Sequence, residues 1–349
     1  MYKTGVAYHE DCQKHIPYEG NPEIPERIST TVEYLKNTGI VEKVHLITPE
    51  PAEEEDLLRV HAEDMVDYIR NLSENGYGEN DYVNSDLFVG KDTYQAALAA
   101  AGGAKAAAES VWTGNVDNAF ALVRPPGHHA SRDLPAGFCY FNNAATAIEY
   151  LRAKHGVKKV AVFDWDAHCG NGTMNIFYKD PAVLTISVHQ DPHTFYPGTG
   201  FVEQIGEGRG RGYCMNIPVP AGTGDADYMH ILDKFVVPKL GIFKPDIIFI
   251  AAGQDSHAGD GYSGLELTDD GYAAMTATLL EAASKLCAGR LVLTLEGGYN
   301  LETLPMTHHR IVSALLDGEK PDISGKVTDS TEYVLRLLKA QLADTLMGD

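Results

Sequence analysis

Five short runs of β-branched and apolar residues, each leading into Gly or polar residues, constrain this chain more than any other feature. They are Asn118–Val123, Lys159–Asp164, Val183–His189, Asp246–Ala252 and Arg290–Glu296. Hydrophobicity within them is nearly continuous, as in Ile247-Ile248-Phe249-Ile250. Strands of this kind suit a parallel sheet covered on both faces, since a half-solvated sheet would show alternation. Helical stretches separate the runs: Ala-rich Thr93–Val111, Asn143–Lys154 after an Asn pair, and Thr268–Leu286 opening on Thr-Asp-Asp. Thr331–Leu346 reads as a terminal amphipathic helix with Ser330 as its cap. This alternation predicts an α/β fold with a mainly parallel central sheet and helices on both faces.

No linker rich in Ser, Pro or Gly, no internal repeat and no low-complexity tract interrupts the sequence, so residues 1–349 read as a single domain. The Gly-rich stretch Gly198–Gly212 reads as a loop. Its Gly206-Glu207-Gly208-Arg209-Gly210 imitates a dinucleotide fingerprint but lacks the apolar strand before it and the helix after it.

Charge narrows the function classes. The chain carries 28 Lys and Arg against 49 Asp and Glu, a formal charge of −21. That field repels nucleic-acid phosphates and anionic membranes and favours cationic ligands, so no nucleic-acid partner is expected. No apolar run approaches the roughly 18 residues of a membrane span. The start, Met1 to Gly5, shows no secretory leader. Cys12, Cys139, Cys169, Cys214 and Cys287 are scattered without a CxxC, which argues against a disulfide framework or a thiolate zinc site. A cytoplasmic protein is expected.

In open α/β sheets ligands gather beyond the carboxyl ends of the strands, so polar residues there come first. Asp164-Trp165-Asp166-Ala167-His168 follows one run. Residues two apart on a strand face the same way, so these three polar side chains can line one cavity. Asp166 and His168 offer carboxylate and imidazole donors suited to zinc or ferrous iron. Asp255 follows the most apolar run and can supply a third ligand; alone it reads equally well as a turn residue. His128 and His129, on a Pro/Gly-rich loop after Asn118–Val123, can act as general acid and base. Gly297-Gly298 permits a tight turn that can aim the Tyr299 phenol at a developing oxyanion. Each feature has an ordinary structural explanation singly. Together they point to a mononuclear metal hydrolase.

The same residues carry a family resemblance. Arg124-Pro125-Pro126-Gly127-His128-His129-Ala130, Gly137-Phe138-Cys139-Tyr140-Phe141-Asn142-Asn143, Asp164 to Thr173, Tyr196-Pro197-Gly198-Thr199-Gly200 and Glu296-Gly297-Gly298-Tyr299 resemble the signature blocks of the zinc-dependent histone deacetylase superfamily. Bacterial deacetylase-like amidohydrolases and acetylpolyamine amidohydrolases belong to it. The resemblance implies an arginase-like fold, zinc on Asp166, His168 and Asp255, and a catalytic pair His128 and His129 oriented by Asp164 and Asn171. Asn at position 171 resembles the class II and bacterial branches. It further implies structural potassium held by Asp164, Ser187 and backbone oxygens of Asp166, His168 and Val188. A second alkali ion would sit near Phe177, Asp180, Val183 and Tyr213. Gly137, Phe138 and Tyr196 would wall an acyl tunnel, with Asp86 and Tyr262 at its rim, and Arg27 matches a residue near the acetate-release route. The chain departs from the family at Cys169, where a second His is usual, at Tyr196, where Phe is commoner, and at Tyr262, where Leu or Met is common.

The implied activity is hydrolysis of an N-acyl amine, acetyl-lysine first, with an acetylpolyamine as the alternative substrate. Residues 12–76 lack the long insertion that narrows the entrance of the polyamine enzymes. A dimanganese ureohydrolase would need an Asp two positions after His168, where Gly170 stands. A non-catalytic acyl-binding protein would be expected to have lost Tyr299, a ligand or a histidine, and all are present. The oligomeric state is not legible.

Overall fold

Among the described residues eight strands build one sheet: β1 (Thr4–Ala7), β2 (His45–Ile47), β3 (Asn118–Ala121), β4 (Val160–Asp164), β5 (Val183–Gln190), β6 (Cys214–Val219), β7 (Ile247–Ala252) and β8 (Leu291–Leu295). This computed structural model describes residues 1–76 and 87–348. The strand order is β2-β1-β3-β8-β7-β4-β5-β6, and every adjacent pair is parallel. Successive residues of the central strands feed two separate cores. Phe120, Phe163, Ile186, Ile248, Ile250 and Leu293 pack on one face. Ala119, Ala121, Val160, Val162, Phe249 and Val292 pack on the other. Both faces are therefore dry, which explains the unbroken apolar runs.

The helices follow in chain order: α1 (Glu26–Asn37), α2 (Glu54–Leu58), α3 (Glu63–Asn75), α4 (Thr93–Trp112), α5 (Asn143–His155), α6 (Asn171–Phe177), α7 (Asp225–Ile231), α8 (Val237–Phe243), α9 (Asp269–Leu286), α10 (Thr303–Asp317) and α11 (Asp329–Leu342). The alanines of α4 and α5 cover one face of the sheet. Residues of α1, α7 to α11 cover the other. Small alanines let α4 and α5 approach closely, and Gly103 of α4 would overlap Val123 if it carried a Cβ. Among the described residues no helix is long and apolar enough to cross a membrane.

Two local expectations change. The last helix begins at Asp329 and is capped by Thr328, whose Oγ1 accepts from Thr331 N at 3.3 Å, so Ser330 lies inside the helix. β4 ends at Asp164, so Asp166 and His168 do not share a strand face with it. Successive side-chain-to-backbone turns place them instead: Asp166 N donates to Asp164 Oδ1 at 3.0 Å and His168 N to Asp166 Oδ1 at 2.8 Å.

Strands β3, β8, β7 and β4 lie side by side in the sheet. Their carboxyl ends carry, in that order, His128 and His129, Tyr299, Asp255, and Asp166 with His168. Four neighbouring strand ends thus deliver the polar residues of the sequence motifs to one place.

Candidate active site

Asp166, His168 and Asp255 come together with ligand atoms all within 4.8 Å of one another. His168 Nδ1 lies 2.9 Å from Asp255 Oδ2 and 3.1 Å from Asp166 Oδ1. The other carboxylate oxygens are held from behind by backbone donors: Ala167 N on Asp255 Oδ1 and Gly297 N on Asp166 Oδ2, both at 2.8 Å. Gly253 and Gly297 close the floor, and a Cβ on either would overlap these carboxylates. Asp166 and Asp255 are fully buried, an arrangement that is costly unless a cation compensates the charge. Burial and the nearby Asp166 push Asp255 up to about 7. Burial opposes a charged His168, but the two carboxylates outweigh it and raise the imidazole to about 9. Two carboxylates and one imidazole, preset by backbone N–H groups and with room left by two glycines, fit a small divalent cation.

Beside the cluster, the two histidines are separated electrostatically. His128 Nδ1 meets Asp164 Oδ2 at 3.0 Å, and its Nε2 lies 3.8 Å from Asp166 Oδ2. Burial works against its charge, yet Asp166 and Asp164 hold it well above the usual histidine range. His129 Nδ1 meets Asn171 Oδ1 at 2.6 Å. Burial, then the charges of His128 and His168, keep it well below that range. Its partner at Nδ1 is a neutral amide, so no carboxylate hydrogen bond offsets the burial that keeps His129 neutral. Two adjacent imidazoles pushed apart in this way can divide acid and base roles.

A cavity of about 240 Å³ opens over the cluster, lined by His129, Gly137, Phe138, His168, Tyr196, Tyr262 and Tyr299. Gly137 has φ +51° and would overlap the His129 ring if it bore a Cβ, so the wall there needs glycine. Tyr196 stands edge-on to His129 at 5.1 Å and is 38% exposed. Tyr262, 46% exposed, packs on the Tyr299 ring at 4.7 Å. Asp86 falls outside the described residues.

Of the residues named for potassium, two are neighbours. Asp164 and Ser187 are register partners on β4 and β5 and line a void of about 10 Å³; Val188 follows on β5. Of the residues named for a second alkali ion, Phe177 O and Asp180 O accept from Asp180 N and Val183 N, and Tyr213 O from Thr185 N. Cys169 is buried and is not among the three cluster residues.

Sequence reasoning gave no role to the acids that brace the site. Glu296, fully buried, accepts Gly127 N at 2.7 Å and His128 N at 2.9 Å through Oε2, fixing the backbone of the histidine pair. Burial raises it to about 7, against the opposing pull of His128 and those N–H groups. Arg124 and Glu23 form a buried pair at 2.8 Å, and Glu23 also holds Arg27 at 2.9 Å. A carboxylate directly ending an apolar strand, as in Leu293-Thr294-Leu295-Glu296, was the available signal.

Comparison with known proteins decides the family. The histone deacetylase domain model matches residues 21–315. The chain belongs to the histone deacetylase family. It is 44% identical over 315 residues to a protein described as "Probable deacetylase" from Archaeoglobus fulgidus, covering 89% of this chain and 86% of that one. It is 41% identical over 296 residues to the histone deacetylase-like amidohydrolase of Pseudomonas aeruginosa, covering 85% and 77%. The crystal structure of the HDA15 HD domain matches with a TM-score of 0.90 at 36% identity, covering 97% of this chain and 96% of that one. The α/β fold predicted from the strand pattern is that of the family, and family membership makes the chain a deacetylase-type hydrolase.

Proposed function

We propose that residues 1–349 act as one catalytic domain that hydrolyses N-acyl amines, with acetyl-lysine as the preferred substrate and zinc on Asp166, His168 and Asp255. The observation that carries this reading is the three-ligand cluster at the floor of an aromatic-walled cavity that His129 and Tyr299 also face. When bound, the cation supplies Lewis acidity, polarising the amide carbonyl and lowering the pKa of water. His129, neutral and open to the cavity, takes the proton of the attacking water at Nε2 and returns it to the departing amine. His128, held at Nδ1 by Asp164, assists His129 beside the reacting centre. The Tyr299 hydroxyl donates to the developing oxyanion. Phe138 and Tyr196 line the acyl-lysine chain and exclude water. Asp164 and Ser187, with backbone oxygens of Asp166, His168 and Val188, would hold a potassium ion and so steady the metal loop.

A side-by-side turnover assay of the metal-loaded protein on acetyl-lysine peptides, longer acyl-lysines and acetylpolyamines tests this. The expected result is the highest kcat/KM on acetyl-lysine peptides. Turnover confined to acetylpolyamines would favour the alternative that the net charge of −21 makes attractive. No hydrolysis of any of them would contradict the reading.

A further inference from the structure

Tyr299 follows two glycines, Gly298 at φ +108°, and therefore sits on a segment that lacks the backbone restraint a Cβ imposes. An oxyanion donor on such a segment needs an external brace, because each alternative backbone state removes the hydroxyl from its target. Two contacts supply one. From the inner side, Arg27 Nε donates to Gly298 O at 2.6 Å, and its guanidinium lies 4.8 Å from the centre of the Tyr299 ring. From the outer side, Asp260 Oδ2 accepts Tyr299 N at 2.6 Å and Asn300 N at 2.9 Å. Asn300 in turn donates to Gly259 O at 2.7 Å, closing the two loops on each other.

Asp260 lies in the loop after β7, five residues beyond Asp255, and is only 8% exposed. A buried carboxylate is expensive, and one that accepted only bonds available from water would be replaced at no cost by an uncharged residue. Here a single oxygen, Oδ2, accepts two consecutive N–H groups, those of the catalytic tyrosine and of the residue after it. Asp260 does not line the cavity and is not one of the three cluster residues.

We infer that Asp260 is a positioning residue that fixes the Tyr299 hydroxyl for the transition state by clamping the backbone N–H groups of Tyr299 and Asn300. The inference rests on the oxyanion role given to Tyr299 above. It makes the loop after β7 serve two ends: one carboxylate near its start reaches the metal site and a second, five residues on, sets the donor opposite.

A double-mutant cycle on the metal-loaded protein with an acetyl-lysine peptide tests it, using Asp260→Ala, Tyr299→Phe and the combination. Asp260→Ala should lower kcat by about 10- to 100-fold with KM within about twofold, since the lost interaction matters mainly in the transition state. Asp260→Asn, whose amide oxygen can accept both N–H groups, should recover most of the rate. In the Tyr299→Phe background the Ala substitution should cost nothing further beyond about twofold, because the hydroxyl it positions is gone. A merely structural role predicts multiplicative losses, altered metal content and no rescue by Asn; any of these would overturn the inference. Should Asp260→Ala fail to fold, Asp260→Ser, too short to reach both groups, carries the same cycle. If the wild-type protein hydrolyses no acyl-lysine, the functional reading fails; if it does and the losses multiply, the positioning role alone fails.

Discussion

Tyr299 and Gly253 show how single atoms separate chemistry from scaffolding. The Tyr299 hydroxyl is asked to act where oxygen gains charge that the ground-state carbonyl lacks. Tyr299→Phe keeps the ring that packs on Tyr262 and under Arg27, so metal content and fold should persist. Turnover should fall about 100-fold or more with a much smaller change in KM. Near-normal turnover in that variant would reduce Tyr299 to a packing residue. Gly253 carries the opposite role: it touches no substrate, yet a Cβ there would overlap Asp166 Oδ2. Gly253→Ala should weaken metal binding by about tenfold or more through a displaced carboxylate, while far-ultraviolet circular dichroism stays unchanged. Metal analysis after dialysis reads this directly, and full retention would show that the floor has slack.

Helix caps and strand ends are the units at which the chain is organised. Thr328 Oγ1 caps α11 and also donates to Asp227 Oδ1 on α7 at 2.8 Å, joining two elements that cover the same core. Thr328→Ala should cost about 1 kcal/mol, seen as a lower urea midpoint without a change in slope, and an unchanged midpoint would discount the cap. The sequence misplaced this cap at Ser330 because Thr328, Ser330 and Thr331 are all competent cappers and only the fold brings Asp227 to one of them. β3, β4, β5, β7 and β8 were legible to within two residues, since strands covered on both faces must be apolar throughout. β1, β2 and β6 were not. β2 is a three-residue, largely exposed edge strand, and β6, at the other edge, contains Asn216 and Pro218, which an edge tolerates. The side chains of the site were legible because each follows an apolar run. Glu23 and Asp260 were not, because their partners lie in distant segments and no spacing records them; Glu296 carried the strand-end signal, but its partners, the N–H groups of Gly127 and His128, lie far away in sequence.

The whole molecule buries several histidines in neutral form, and this sets its acid limit. Burial lowers His15 and His61 to about 4 and His308 to about 3, from an ordinary 6.5. Their hydrogen bonds run to Thr93, to Ser131 and Asn142, and to Thr31 and Gln254, each joining separate segments. Between pH 6.5 and about 4 these three side chains bind more protons in the unfolded chain than in the folded one, so the stability they contribute is present above 6.5 and is lost as pH drops. Three such groups give a slope approaching about 4 kcal/mol per pH unit in the middle of that window. Urea midpoints of the metal-loaded protein at pH 7.0, 6.0 and 5.0 should decline accordingly, and a flat profile would contradict neutral burial. Hydrolysis of an acyl-lysine amide by this site requires a single divalent ion on Asp166, His168 and Asp255. The most direct measurement is acetate release from an acetyl-lysine peptide, with metal counted per chain, before chelation, after it and after zinc is restored. One ion per active chain, loss of turnover on chelation and its return with zinc are predicted. Two ions per active chain, or turnover that survives chelation, would contradict the account.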